Sequence, residues 1–290
     1  MTDRVRTVFL GSGGFGLATL RRLAGHDAVR LVGVVTAPAR PAGRKRELTE
    51  TVIDGTARSL GVAPILRPER LRAAESIAAV LALRPDLLVL ADYGQIVPRA
   101  PLDVRHGALN LHPSLLPRHR GATPIPATIL VGDAETGVSL MRMDAGLDTG
   151  PIVAQERVAL DGTETTPDLE ARLATIAADL LVQNLGPWVG GQIPAIPQPV
   201  GGATLTRPLR REDGRLDPTR PAAELERQVR AYQPWPGTFV DTAAGRLTIW
   251  VASPDDGIAP AARTFDAEGL GVGDGDHLRL LEVQPAGGRR

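Results

Sequence analysis

Three continuous apolar runs of strand length, separated by segments with helical periodicity, place the strongest constraint on the fold of this chain. The runs cover residues 6–11, 31–37 and 86–93, and the helical segments cover 15–25 and 49–61. A strand that is apolar throughout belongs to a sheet with both faces covered. Strands that alternate with helices indicate βαβ units with right-handed crossovers. The sequence therefore predicts an α/β fold built on a parallel sheet.

A long amphipathic segment marks the end of this alternating region. Residues 165–186 form the clearest predicted helix, with Pro167 in the first turn and Gly186 as its stop. Residues 187–203 are so rich in Gly and Pro that neither a helix nor a strand is expected there. We therefore interpret them as a linker.

Short strand patterns divided by turn residues follow the linker, with one predicted helix at 222–232. This pattern is typical of a small β-barrel. The predicted organisation is an α/β domain at 1–186, a linker at 187–203 and a barrel domain at 204–290.

Composition excludes several functional classes. The 33 basic and 33 acidic residues balance, so a polyanionic partner would have to be bound by a local cluster of charge. The absence of cysteine excludes disulfides, thiol nucleophiles and cysteine metal sites. No apolar run reaches the ~20 residues that span a bilayer, and the N-terminus lacks the apolar core of a signal peptide. We expect a cytoplasmic protein without membrane contact.

A glycine-rich turn at 11–16, GSGGFG, matches the dinucleotide-binding pattern between a strand and a helix. That function also needs an acidic residue at the end of the second strand, and the chain has VVTAP there. We therefore favour the alternative that these glycines allow a tight turn with close backbone packing.

The stretch ALNLHP presents a polar pair at the end of a strand. Side chains alternate along a strand, so Asn110 and His112 share one face, and Pro113 ends the pairing. Asp148 lies in a glycine-flanked loop between two further strand patterns, and we expect it at the same edge of the sheet. An amide, an imidazole and a carboxylate together can promote acyl transfer to an amine without a Ser or Cys nucleophile.

Other interpretations of these residues were considered. A zinc site formed by His106, His112, His119 and Asp148 would suit the ligand types, but the chain has no HExxH pattern. Taken singly, His112 could be a satisfied core histidine and Asp148 a turn residue. His106 is expected at the surface, and His119 and Arg120 are expected to be solvated or to anchor their loop.

A family resemblance selects among these chemistries. The segments LNLHPSLLPRHRGATPI and GDAETGVSLMRMDAGLDTGPIV are similar to the signature of folate-dependent formyltransferases. The segments TAPARPAGRKREL, LADYGQIVP and RAYQPWPGTF resemble the branch whose members formylate initiator methionyl-tRNA. The resemblance covers residues from about 5 to about 287 of the chain.

This resemblance implies a Rossmann-like domain followed by an OB-like β-barrel domain, with 10-formyltetrahydrofolate as co-substrate and no metal. It implies a catalytic role for Asn110, His112 and Asp148. A carboxylate beside an imidazole favours its charged form, so we expect Asp148 to raise the pKa of His112 above its usual ~6.5. Whether His112 starts neutral, as a base, or protonated, as a donor, stays open. The residues implied to bind folate are Ser114, Leu115, Leu116 and Pro117.

A cationic loop follows the second predicted strand. Its prolines and glycine, Pro38, Pro41 and Gly43, are expected to prevent regular helix or strand. A solvated loop is one interpretation, but a loop at this edge could also bind an RNA backbone near the catalytic residues. The residues predicted to contact initiator methionyl-tRNA are Arg40, Arg44, Lys45 and Arg46.

Departures from the family pattern leave the acceptor open. Pro113, His119, Pro208 and Pro218 stand where the tRNA-specific branch usually has other residues. The alternatives are a sugar N-formyltransferase acting on a nucleotide-linked amino sugar and a non-catalytic protein that binds folate or RNA. We expect the protein to be a monomer.

Overall fold

The computed structural model describes residues 4–42, 46–255, 269–272 and 277–288. Its helices are α1 Gly16–Ala24, α2 Val52–Ser59, α3 Ala74–Ala82, α4 Arg99–Leu102, α5 Pro124–Val131, α6 Thr166–Val189 and α7 Ala222–Ala231. A short 3₁₀ helix covers Arg211–Gly214. The strands are β1 Val5–Leu10, β2 Val29–Val35, β3 Arg40–Ala42, β4 Glu47–Thr49, β5 Ile65–Leu66, β6 Leu87–Ala91, β7 Ala108–His112, β8 Arg120–Gly121, β9 Glu135–Arg142, β10 Ile152–Ala159, β11 Leu205–Thr206, β12 Thr238–Thr242, β13 Gly245–Asp255, β14 Leu270–Gly271 and β15 His277–Pro285.

A seven-stranded sheet in the order β10-β9-β7-β6-β1-β2-β5 forms the centre of the first part of the chain. The pairs β1–β2, β1–β6, β2–β5 and β6–β7 are parallel, and β9 runs antiparallel to β7. Every residue of β6 is buried, as expected for an apolar strand covered on both faces. The predicted Rossmann-like, mostly parallel sheet is confirmed.

The glycine-rich turn after β1 owes its composition to close packing. A Cβ at Gly11 would lie 2.7 Å from the carbonyl oxygen of Ala91, and one at Gly16 would lie 2.8 Å from the same atom. Only glycine avoids these contacts. The geometry therefore supports the tight-turn interpretation of GSGGFG.

The predicted stop of the long helix at Gly186 was wrong, since α6 continues to Val189 and contains Pro187. Its last turn is fixed from outside, because the indole N–H of Trp188 donates to the carbonyl of His106 at 2.9 Å. The left-handed residue that follows the helix is Gly191, with φ 67°. The predicted linker therefore begins inside the helix.

The predicted irregular loop at 38–48 contains a small hairpin instead. Strands β3 and β4 pair antiparallel, with Pro41 opposite Leu48. A two-stranded ribbon needs only alternate N–H groups for its ladder, so it tolerates a proline that a central strand would exclude. The expectation that the prolines prevent regular structure here was wrong.

The described C-terminal strands form an antiparallel sheet in the order β12-β13-β15-β14, curled as a half-barrel. Helix α7 contributes Leu225 and Val229 to a core with Val240, Ile249 and Leu278. This sheet confirms the predicted second, β-rich part of the fold.

The chain divides into two compact units that are discontinuous in sequence. One comprises residues 1–122, 137–158 and 170–205, and the other comprises 123–136, 159–169 and 206–290. The contiguous boundaries predicted at 186 and 204 stay a prediction.

Candidate active site

The strand β7 ends at His112, and its register sets the faces of its side chains. Leu109 and Leu111 are fully buried, whereas Asn110 is half-buried. Within the described part of the chain, the Asn110 carboxamide makes no hydrogen bond, so its N–H groups are available to a ligand. An available amide donor beside an imidazole suits stabilisation of a developing oxyanion.

The loop that contains Asp148 reaches His112 by folding back. Arg142 of β9 pairs with Leu109, and Met143 N donates to Ala108 O, so the loop starts beside the amino end of β7. The loop starts at this far end because β9 is antiparallel to β7. Tight turns bring the loop back: a Cβ at Gly150 would lie 1.9 Å from Arg142 O.

The Asp148 carboxylate is fixed next to His112. Its Oδ2 accepts a hydrogen bond of 2.8 Å from Gly121 N and lies 3.8 Å from His112 Nδ1. The Asp148 backbone is left-handed, with φ 50°, which is uncommon outside glycine. A separation of 3.8 Å is too long for a direct hydrogen bond but suits a charge interaction with an imidazolium.

His112 is oriented by a second contact, which also assigns its tautomer. Its side chain is buried, and Nε2 lies 2.9 Å from the carbonyl oxygen of His119. A carbonyl can only accept, so Nε2 must bear the proton. In the neutral ring Nδ1 then has its lone pair free, on the side of Asp148. This arrangement equips His112 to accept a proton at Nδ1.

Burial lowers the pKa of His112, and the carboxylate of Asp148 offsets only part of that effect. The expectation that Asp148 would raise the pKa above its usual value was wrong. The loss of hydration of the imidazolium is the larger effect, because the His112 side chain is buried. The neutral form is therefore favoured before substrate binds.

The SLLP loop after Pro113 is held by buried polar contacts. Ser114 is fully buried, and its hydroxyl donates to Arg118 O at 2.7 Å. Leu116 is buried too, whereas Leu115 and Pro117 are only half-buried. Two of the four residues thus shape the loop, and the other two leave apolar surface that a ligand can contact.

Ser139 and Gln155 support the same loop and were not singled out by the sequence. The Ser139 hydroxyl donates to Ser114 O at 2.6 Å and accepts from Leu116 N at 3.0 Å. Gln155 Nε2 donates to Leu116 O and to Ser139 Oγ. Nothing in the local sequence around a single serine or glutamine distinguishes these contacts.

Gln198 supports the Asp148 loop and also escaped the sequence interpretation, which placed it in a linker. Its Nε2 donates to the carbonyls of Asp148 and Gly150, each at 2.8 Å. Its Oε1 accepts from Arg120 at 2.6 and 3.0 Å. His119 N donates to Thr204 Oγ1 at 2.8 Å, so His119 anchors its loop, as one of the two expectations stated.

Two acidic side chains lie beside the glycine-rich turn. Glu170 accepts a hydrogen bond from Phe15 N, and Asp92 packs against Gly13, where a Cβ would lie 1.6 Å from its Oδ2. Burial raises the pKa of Glu170, and the neighbouring charge of Asp92 raises it further. Asp92 is exposed on one side, but the protein that surrounds the rest of its carboxylate removes water from it and so raises its pKa.

The cations predicted to contact tRNA are described only in part. Arg40 is exposed and pairs with Glu69, and Arg46 is exposed with φ 53°. Arg44 and Lys45 lie outside the described residues.

The described residues contain no cluster of three or more His, Asp or Glu side chains arranged to hold a metal ion. The zinc alternative therefore finds no support in this part of the chain. Among the described helices, none is long and apolar enough to cross a membrane.

The chain matches two domain families over most of its length. Residues 5–185 match the formyl transferase domain, and residues 208–290 match the formyl transferase C-terminal domain. A protein named methionyl-tRNA formyltransferase from Roseiflexus sp. (strain RS-1) is 44% identical over 98% of this chain and 89% of its own length. The protein of that name from Myxococcus xanthus (strain DK1622) is 40% identical over 99% of this chain and 92% of its own.

Solved structures share the fold at low identity. The N-formyltransferase from Helicobacter canadensis, crystallised with folinic acid and dTDP-3-aminofucose, superposes with a TM-score of 0.68 at 16% identity. The comparison covers 95% of this chain and 98% of that one. With two matched domains and relatives of this identity over nearly the whole chain, the protein belongs to the formyl transferase family.

Proposed function

We propose that this protein transfers the formyl group of 10-formyltetrahydrofolate to the α-amine of initiator methionyl-tRNA. The observation that supports this most directly is the orientation of His112, with Nε2–H bound to His119 O and Nδ1 free beside Asp148. The names of the relatives at 40 to 44% identity support the tRNA acceptor.

In this mechanism His112 starts neutral and acts as a general base. The α-amine attacks the formyl carbon, and its proton passes to Nδ1 of His112 as the new C–N bond forms. The imidazolium that results is stabilised by Asp148, and the Asn110 carboxamide donates to the oxyanion of the tetrahedral intermediate. The bond between the formyl carbon and N10 then breaks, and N10 takes the proton from His112, which leaves tetrahydrofolate and the formylated amine.

We assign the folate contact to the SLLP loop. Leu115 and Pro117 are half-buried, and the loop is fixed by the contacts of Ser114, Ser139 and Gln155. A rigid loop with half-buried apolar side chains suits an aromatic ligand, because little conformational entropy is lost on binding.

The test of the proposed function is a single-turnover assay with 10-formyltetrahydrofolate and charged initiator tRNA. We expect N-formylmethionyl-tRNA to form in proportion to enzyme. A parallel reaction with a nucleotide-linked amino sugar tests the alternative. Formylation of the sugar without formylation of the tRNA would reject the proposed acceptor, and no transfer to either would favour the binding protein.

A further inference from the structure

We infer that Gln198 is a positioning residue for the formyl-transfer reaction. It fixes the loop at 143–151, here called the catalytic loop, so that Asp148 stays beside His112. This inference rests on the proposed roles of Asp148 and His112. The Gly- and Pro-rich segment that contains Gln198 would then belong to the active-site structure and not only to a connection.

Both polar atoms of the Gln198 carboxamide hydrogen-bond to residues that hold Asp148 in place. Nε2 donates to the carbonyls of Asp148 and Gly150, and Oε1 accepts two hydrogen bonds from Arg120. Arg120 precedes Gly121, whose N–H binds the Asp148 carboxylate. The contacts therefore close a ring through Arg120, Gln198, Asp148 and Gly121, which fixes both the backbone and the carboxylate of Asp148.

The backbone around Gln198 is itself anchored to the loop. Ile196 and Ile152 exchange two backbone hydrogen bonds of 2.7 Å, so the segment pairs with the strand that leaves the catalytic loop. Gln198 therefore reaches the loop from a fixed position two residues further on.

The left-handed backbone of Asp148 explains why the loop needs this support. A non-glycine residue at φ 50° is held only if surrounding contacts outweigh the strain. Gln198 binds the carbonyl of Asp148 itself and the carbonyl of Gly150, on either side of the next peptide unit. Without these donors the loop can relax and move the carboxylate away from His112.

The experiment compares Gln198→Leu with Gln192→Leu, a matched control in the same segment. The side chain of Gln192 is exposed and makes no hydrogen bond among the described residues. We expect Gln198→Leu to lower kcat ~10- to 100-fold, because a displacement of about 1 Å at a catalytic group has an effect of this size. The KM for folate and for tRNA should change by less than about threefold, since neither ligand is bound by Gln198.

Two further measurements separate positioning from a general loss of structure. In the Asp148→Asn background, Gln198→Leu should add little to the loss of kcat, because both changes act on one interaction. By NMR, Gln198→Leu should lower the pKa of His112, because the charge of Asp148 raises that pKa, whereas the charge of His119 lowers it. A damaged fold alone would leave the pKa of the correctly folded fraction unchanged.

A second variant keeps the inference testable if Gln198→Leu folds poorly. Gln198→Glu retains an acceptor for Arg120 but loses both donors to the loop, so the same loss of kcat is expected from it. The inference is overturned if the folded Gln198 variants match Gln192→Leu in kcat while His112→Ala is inactive. If His112→Ala and Asp148→Asn are fully active, the proposed catalytic roles fail first.

Discussion

At the scale of single residues, chemistry in this site depends on which atom of each side chain is already engaged. Nε2 of His112 is bound to a carbonyl, so only Nδ1 can exchange a proton with substrate. Asp148 lies on that side at 3.8 Å, with its position fixed by Gly121. The two side chains therefore have different roles: Nδ1 of His112 accepts the proton, and Asp148 stabilises the imidazolium that forms.

Replacement of either group should remove most of the formyl transfer. We expect His112→Ala and Asp148→Asn each to lower kcat by ~10² to 10³, because His112 accepts the proton of the attacking amine and Asp148 stabilises the imidazolium that forms. Folate binding, measured by fluorescence titration, should stay within about threefold, since neither group is assigned to the pterin. Unchanged turnover in either variant would refute its assigned role.

The protonation state of His112 can be measured directly. Burial disfavours the imidazolium, so NMR titration should give a pKa for His112 below the usual ~6.5. At pH values above that pKa, the neutral ring should carry its proton on Nε2. His112→Ala identifies the signal among the five histidines. Asp148→Asn removes an influence that raises the pKa and should lower it further. A pKa above the usual value would favour a protonated His112 at the start of the reaction.

At the scale of elements, the ends of strands and the loops between them decide what reaches the site. The SLLP loop leaves β7 directly and is tied to β9 through Ser139. The catalytic loop leaves β9 at the far end of β7 and folds back. Both loops are held by side chains that hydrogen-bond to their main chain: Ser139 and Gln155 for the SLLP loop, and Gln198 for the loop that contains Asp148.

A charge on the SLLP loop should weaken the folate site. Leu115→Asp places a carboxylate at a half-buried position predicted to contact ligand, and an unpaired charge there is costly to desolvate. We expect the KM for 10-formyltetrahydrofolate to rise by at least about tenfold, with Leu115→Met as the size-matched apolar control. If the KM is the same in both variants, the loop is a structural turn only.

Two glycines in helices should respond to alanine in opposite ways. A Cβ at Gly55 in α2 meets no atom within 4 Å, so Gly55→Ala should stabilise the protein by ~0.5–1 kcal/mol. A Cβ at Gly16, the first residue of α1, would lie 2.8 Å from Ala91 O, and Gly16→Ala should destabilise by ~1–3 kcal/mol. Urea denaturation of both variants measures the difference, and a shift of the same sign in both would contradict it.

At the scale of the whole molecule, a net charge of zero means that attraction to RNA has to be local. The segment with Arg40, Arg44, Lys45 and Arg46 is the densest cluster of cations in the first part of the sequence. Arg40 already pairs with Glu69, so its charge is partly compensated before RNA binds. Arg44, Lys45 and Arg46 stay the residues predicted to contact phosphate.

Substitution of Arg44, Lys45 and Arg46 by Ala should raise the KM for tRNA and flatten the salt dependence of binding. Each lost phosphate contact should reduce the log-log salt slope by ~0.7 to 0.9. The KM for folate should stay the same, which serves as the internal control. If the affinity for tRNA and its salt slope both survive, this loop does not bind RNA, and a sugar acceptor becomes the stronger proposal.

The sequence by itself determined the parallel sheet, and it predicted Asn110, His112 and Asp148 as the catalytic trio. Every residue of β6 and the last residues of β1 and β2 are buried, as their continuous apolar runs indicate. Asn110 and His112 alternate with buried leucines, so their common face also follows from spacing alone.

Only the tertiary structure decided how these residues are held and charged. The end of α6 depends on the contact between Trp188 and His106, and the position of Asp148 depends on Gln198 and Gly121. The pKa of His112 is lowered because burial outweighs a nearby carboxylate. These properties come from groups far apart in the chain, and local sequence patterns contain no information on how such groups meet or on how much water they exclude.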